Sequence, residues 1–122
     1  MRWPFLLGAF ITGMAACGPD ERHLSGAWRA VAYHAADTVR PLPADTLRMI
    51  FNADGTYRYA GAAYYLETGR YRCSWRYLFL VDTLHDPPRT YTLRLERLEE
   101  DTLVLYMERD SVGERLIFVR EE

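Results

Sequence analysis

Lysine is missing from this chain. All fifteen basic residues are arginine, glutamine is also missing, and Asn52 is the lone asparagine. Without lysine there is no side-chain amine for a Schiff base and none for a phosphate-binding loop of the Walker kind. Arginine codons replacing lysine codons in a GC-rich genome are the simplest cause. Cysteine is scarce, with Cys17 and Cys73 only, which is too few for a disulfide framework and gives no C-x-x-C pair. His23, His34 and His85 fall at no metal-ligand spacing, so no metal site is expected. There is no basic run or stripe, and the formal net charge is -2, so nucleic acid is not an expected partner. Ser25 and Ser111 lack a nucleophile-elbow context, and Gly61-Ala62-Ala63 is not a phosphate loop. The carboxylates fall in turns and on polar strand faces. The chain therefore carries no catalytic signature, and neither enzymatic activity nor a cofactor is expected.

What is present begins at the N-terminus. Arg2 precedes an apolar run, Trp3 to Gly13, and the small residues Met14-Ala15-Ala16 lead into Cys17. A charged start, a short apolar stretch and a small-residue cleavage site make a secretory signal peptide, residues 1–16. The run of about 14 residues falls short of the roughly 20 that a bilayer-spanning helix needs. Pro4, Gly8 and Gly13 would weaken it as a buried helix. The cleavage point resembles the lipobox of bacterial lipoproteins, with Met14 where leucine is usual. That resemblance implies a diacylglyceryl thioether on Cys17, a tether over residues 17–23, and a domain over residues 24–122 held to a membrane of the cell envelope. Residue 18 is glycine rather than aspartate, so the inner-membrane retention signal is missing and the outer membrane is the expected place. Acylation of Cys17 predicts a buried, inert thiol at Cys73, whose neighbours at alternate positions are Tyr71 and Trp75.

Beyond Arg22 no helical period of about ten residues occurs; short alternating segments are separated by turn signals. Leu24 to His34 reads as a strand and Ala35 to Ala44 as a loop with Pro41 and Pro43. Leu47 to Phe51 and Thr56 to Ala60 flank Asn52-Ala53-Asp54-Gly55, a hairpin turn in which Asp-Gly tolerates positive φ. Gly61 to Thr68 fits either a loop or the start of a long strand. Gly69 to Cys73 alternates, Ser74-Trp75-Arg76 turns, and Tyr77 to Val81 is apolar throughout. His85-Asp86-Pro87-Pro88 is a break. Tyr91 to Glu96, Leu103 to Glu108 and Arg115 to Arg120 complete the set, parted by Glu99-Glu100-Asp101 and by Asp110 to Gly113. These are about eight antiparallel strands joined by short turns. They predict an all-β fold, an up-and-down barrel whose closure removes the exposed edges. A sandwich with Greek-key links stays open.

Several of these segments resemble lipocalin-like domains. Leu24-Ser25-Gly26-Ala27-Trp28 matches their Leu-x-Gly-x-Trp opening. Phe51 to Tyr57 matches an F-x-x-D-G-T-Y hairpin, Gly69-Arg70-Tyr71 a G-x-Y strand, and Leu98 to Leu105 an L-x-x-D-x-L-x-L hairpin. The Thr-Asp-Tyr motif of larger lipocalins is absent. The resemblance implies a small barrel with Trp28 in its floor, Gly26 allowing close approach there, and a last-strand arginine packed on the tryptophan. Arg120 is the candidate and Arg115 its rival.

Strand alternation supplies the remaining candidates. Met49, Phe51, Tyr57, Tyr59, Tyr71 and Leu93 each sit beside a polar neighbour and are predicted to point inward and line any cavity. Arg48, Arg58, Arg70, Arg72 and Arg94 would then form the outside. Nine tyrosines, each with an apolar ring and a polar tip, suit an amphipathic ligand. Two functions remain open: a lipid-anchored carrier of a small apolar or amphipathic molecule, or a protein-interaction module with a filled barrel. An internal pocket above roughly 300 Å³ would favour the carrier.

Overall fold

A computed structural model describes residues 23–35, 38–42, 47–61, 65–109 and 111–121. The signal peptide, Cys17 and nearly all of the expected tether lie outside these residues. Among the described residues nine strands form one antiparallel sheet: β1 (Gly26–Ala35), β2 (Thr38–Pro41), β3 (Arg48–Phe51), β4 (Thr56–Ala60), β5 (Leu66–Ser74), β6 (Tyr77–Asp82), β7 (Arg89–Leu98), β8 (Thr102–Arg109) and β9 (Val112–Arg120). From β3 to β9 each strand pairs with the next, and β9 returns to pair with β1. With β2 outside the ring, the closed barrel has eight strands. Closure satisfies the edge amides that an open meander would leave to solvent.

The Ala35 to Ala44 stretch departs from expectation. It is not loop throughout, because Thr38–Pro41 pairs with Ala32–Ala35 of β1. Pro41 is tolerated on this short, exposed edge strand, where a missing N–H costs no central ladder bond. At the uncertain Gly61 to Thr68 stretch, β5 begins at Leu66.

Period-2 alternation sorts the residues as a barrel wall requires. Met49, Phe51, Tyr57, Leu78, Leu80, Leu93, Leu95, Leu103, Leu105 and Phe118 are buried. Arg48, Arg58, Arg70, Arg72 and Arg94 are exposed. Two register shifts interrupt the alternation, between Ala30 and Ala32 on β1 and between Leu95 and Arg97 on β7. Each extra residue reverses the facing of the side chains after it.

Successive hairpins of an antiparallel barrel fall at alternate ends. The chain entry at Leu24 and the turns at Asn52–Gly55, Trp75–Arg76 and Glu99–Asp101 share one end, which is closed. Trp28 is fully buried there and its Nε1–H donates to the Leu24 carbonyl at 2.9 Å. Arg120 lies opposite Trp28 in the strand register, with its guanidinium 4.3 Å from the indole centroid. The same guanidinium donates to the carbonyls of Ser25, at 2.7 Å, His23 and Glu100. One cation thus ties the first strand, the last strand and the β7–β8 turn. Gly26 makes room for it: φ is +126°, and a Cβ would stand 2.4 Å from Arg120 Nη1. Arg115 lies elsewhere on β9, over the Tyr106 ring and paired with Glu96.

Cys73 is buried, as predicted.

Candidate functional site

Above the Trp28 plug the barrel is hollow. A cavity of about 660 Å³ occupies the lumen, within the ~300–1,000 Å³ of ligand pockets. Every strand of the ring contributes to its wall. Leu47, Met49, Leu80, Leu93, Leu105, Met107 and Leu116 supply apolar surface, and Tyr33, Tyr59, Tyr65 and Tyr91 add rings with polar tips. Tyr33 reaches the lumen because of the β1 register shift. Counting in twos from Trp28 would send it outward, whereas the shifted register sets it opposite Leu116. Glu108, Glu114 and Arg115 lie toward the end where β8 passes into β9, the open end of the barrel.

Of the six residues predicted to line a cavity, Met49, Tyr59 and Leu93 do so. Phe51, Tyr57 and Tyr71 face inward but do not line it; they fill the barrel beside the plug. Phe51 and Tyr57 are almost completely buried. Tyr71 packs edge-on against Phe51 with ring centroids 5.0 Å apart, and its hydroxyl donates to the Asn52 carbonyl at 2.8 Å. The reason is position along the strand: residues near the Asn52–Gly55 turn lie at the narrow, closed end.

The chemistry of the cavity centres on Glu67, which lines it and is only 6% exposed. Its carboxyl accepts hydrogen bonds from Tyr57 Oη at 3.2 Å, from Tyr91 Oη at 2.8 Å and from Tyr65 Oη. These phenols are held above their ordinary range. Burial does most for Tyr57, followed by the Glu67 charge. For Tyr65 the hydrogen bond to Glu67 is the largest cause, and for Tyr91 burial comes first and that bond second. All are therefore protonated at neutral pH and act as donors.

A second polar cluster backs the first. Asp82 is fully buried at the end of β6. It binds His85 Nδ1 and accepts the Leu84 amide at 3.0 Å. Burial pushes its carboxyl up, but the His85 bond, the Leu84 amide and the charges of His85 and Arg89 outweigh that and hold it below the usual range. His85 stacks on Tyr65 at 5.8 Å between centroids, and Arg89 Nη1 donates to the Tyr65 hydroxyl at 3.1 Å. Among the described residues no group of three or more His, Cys, Asp and Glu could hold a metal ion.

Glu67, Tyr65, Tyr91, Leu80, Leu105, Met107 and Leu116 escaped the sequence reading as lining residues. A signal for Glu67 existed, since counting back in twos from Cys73 and Tyr71 passes Gly69 and reaches it. A carboxylate is ordinarily placed on the wet face, because burying one is costly.

Known structures share this architecture. A lipocalin-like protein from Bacteroides uniformis ATCC 8492 superposes with a TM-score of 0.64 at 19% identity, covering 81% of this chain and 99% of that one. The fold is lipocalin-like. An uncharacterized protein from Bacteroides eggerthii DSM 20697 gives a TM-score of 0.63 at 13% identity, covering 80% of this chain and 99% of that one. No protein-family model matches the chain, and no curated protein matches it. Identities this low speak for the lipocalin-like fold alone; what the barrel does rests on its own residues.

Proposed function

We propose that this barrel is a non-enzymatic carrier that binds a small amphipathic molecule in its lumen while anchored to the cell envelope through lipid on Cys17. The carrying observation is the cavity of about 660 Å³, apolar in most of its wall and polar at Glu67. An eight-stranded barrel either fills with side chains or leaves room for one small ligand. In this chain the side chains near the plug do the filling, and the opposite half is left hollow. Support for the anchor comes from the sequence around Met14-Ala15-Ala16-Cys17. Two or three acyl chains, at about 0.8 kcal/mol per buried CH₂, give stable attachment to the outer membrane.

Native mass spectrometry of the protein from its own host should show a bound small molecule. Displacement of a polarity-sensitive dye by apolar amphiphiles should weaken in Met49→Trp and Leu93→Trp, which narrow the lumen without touching the plug. If both substitutions leave dye binding unchanged, the lumen is not the binding site. A second reading draws on the closed end, where Trp75 is 76% and Tyr77 42% exposed. These would form the contact face of a partner-binding module. Its mark would be loss of partner binding in Trp75→Ser with dye binding intact.

A further inference from the structure

We infer that the lumen selects an amphipathic organic cation, an amine on an apolar body, and that Glu67 receives its charge. This rests on the carrier reading and adds the ligand class to it.

The charges on the cavity wall are Glu67, Glu108, Glu114 and Arg115. The arginine does not balance Glu67. Its Nε sits 2.5 Å from Glu96 Oε1 and its Nη2 3.1 Å from Glu96 Oε2, and its guanidinium lies over the Tyr106 ring at 4.9 Å. Arg115 directs these donors to Glu96, a carboxylate that Arg94 Nη2 also reaches at 3.0 Å.

Glu67 is the buried member of the set. Among the described residues no arginine or histidine forms an ion pair with it. The groups that reach it are the phenols of Tyr57, Tyr65 and Tyr91. They bring dipoles and protons but no positive charge. Arg89 reaches the hydroxyls of Tyr65 and Tyr91, two of the three phenols on Glu67, and is not part of the cavity wall. A buried carboxylate is costly unless paired with a cation as well as hydrogen-bonded. It offers about four lone-pair sites, and three phenols leave room for a further donor. An ammonium group entering the lumen supplies both the charge and the donor, in a low-dielectric setting where a charge-assisted bond is strong. Met49, Leu80, Leu93 and Leu105 would cover the apolar body. An aliphatic carboxylate of the same length would set like charge against Glu67. A neutral alcohol would hydrogen-bond without the charge.

The geometry therefore predicts an order of affinity among probes that share one tail: decylamine, then decanol, then decanoate. Isothermal titration at neutral pH and low salt should place decylamine about tenfold or more above decanoate, the scale of a charged hydrogen bond. Glu67→Gln should bring decylamine down to the decanol value measured on the same variant, because the carboxylate charge is removed. Decanoate binding as tightly as decylamine would overturn the inference, and so would an amine preference that survives Glu67→Gln. In either case binding of decanol leaves the carrier reading standing. Absence of binding by all of these probes would overturn the carrier reading and this inference together. Circular dichroism checks the folding of the variant; if it does not fold, the order among the probes on the wild-type protein still decides.

Discussion

Replacing Trp28 with alanine tests the closed end of the barrel most directly. The side chain is fully buried, so its removal leaves a cavity under the plug rather than a patch that water can fill. Large-to-small changes of this kind cost about 3–5 kcal/mol. Two further losses are particular to this site. The Arg120 guanidinium loses the ring 4.3 Å beneath it, a contact of about 0.5–2 kcal/mol. The Leu24 carbonyl loses its indole donor, a bond of about 1 kcal/mol. The burial term sets the scale and the others push the total toward about 5 kcal/mol, against about 5–15 kcal/mol for a whole domain. In a domain of this size each kcal/mol moves the melting temperature by about 4–8 °C, so Trp28→Ala should melt at least about 15 °C below wild type. Trp28→Phe retains a ring for the cation and should fall between the two. Thermal unfolding followed by far-UV circular dichroism makes the measurement. A melting temperature within about 5 °C of wild type would refute the reasoning, because a buried tryptophan that anchors Arg120 cannot be lost so cheaply.

Other outcomes rest on the same structure. The Asp82 carboxyl is held low in the folded state, so its contribution is in place above its unfolded pKa of about 3.9 and is lost as pH falls through the folded value. Glu96 and Glu121, held low chiefly by hydrogen bonds from Arg115 and Arg48, act in the same direction. Urea midpoints should therefore drop as pH falls from about 5 to about 3, less steeply in Asp82→Asn; parallel slopes would remove Asp82 from the account. Gly69→Ala would put a Cβ 1.8 Å from the Val81 carbonyl oxygen. Strand backbone cannot yield that distance, so a loss of about 3 kcal/mol or more is expected, and a soluble variant of unchanged melting temperature would contradict it. At the N-terminus, mass spectrometry of the membrane fraction should find a diacylglyceryl adduct on the peptide that begins at Cys17. The chain has two cysteines. A thioether on Cys17 and a bond from Cys17 to Cys73 exclude each other, so recovery of the two joined would rule out the lipid anchor.

The local code of this chain was legible in the sequence alone. Alternation with a period of two marked Met49, Phe51, Tyr57 and Leu93 as inward and Arg48, Arg58 and Arg94 as outward, because a strand leaves its side chains no other choice than two faces. Asp54-Gly55 marked the β3–β4 turn for an equally local reason, with Gly55 at φ +92°. The resemblance of Leu24 to Trp28 to the opening of lipocalin-like domains implied how the floor would be built, with a last-strand arginine on the tryptophan. Tertiary structure decided what no single segment contains. The β1 register shift, which turns Tyr33 into the lumen, is a property of the pairing with β9. Thr38–Pro41 became a strand because the end of β1 offered it an edge. Glu67 lies inside because phenols from β4, β7 and the approach to β5 converge on it, and a carboxylate can be buried only where such donors are already gathered. Whether inward side chains fill a barrel or line a hollow depends on the volume enclosed by all eight strands at once, and that balance appears only when the ring is closed.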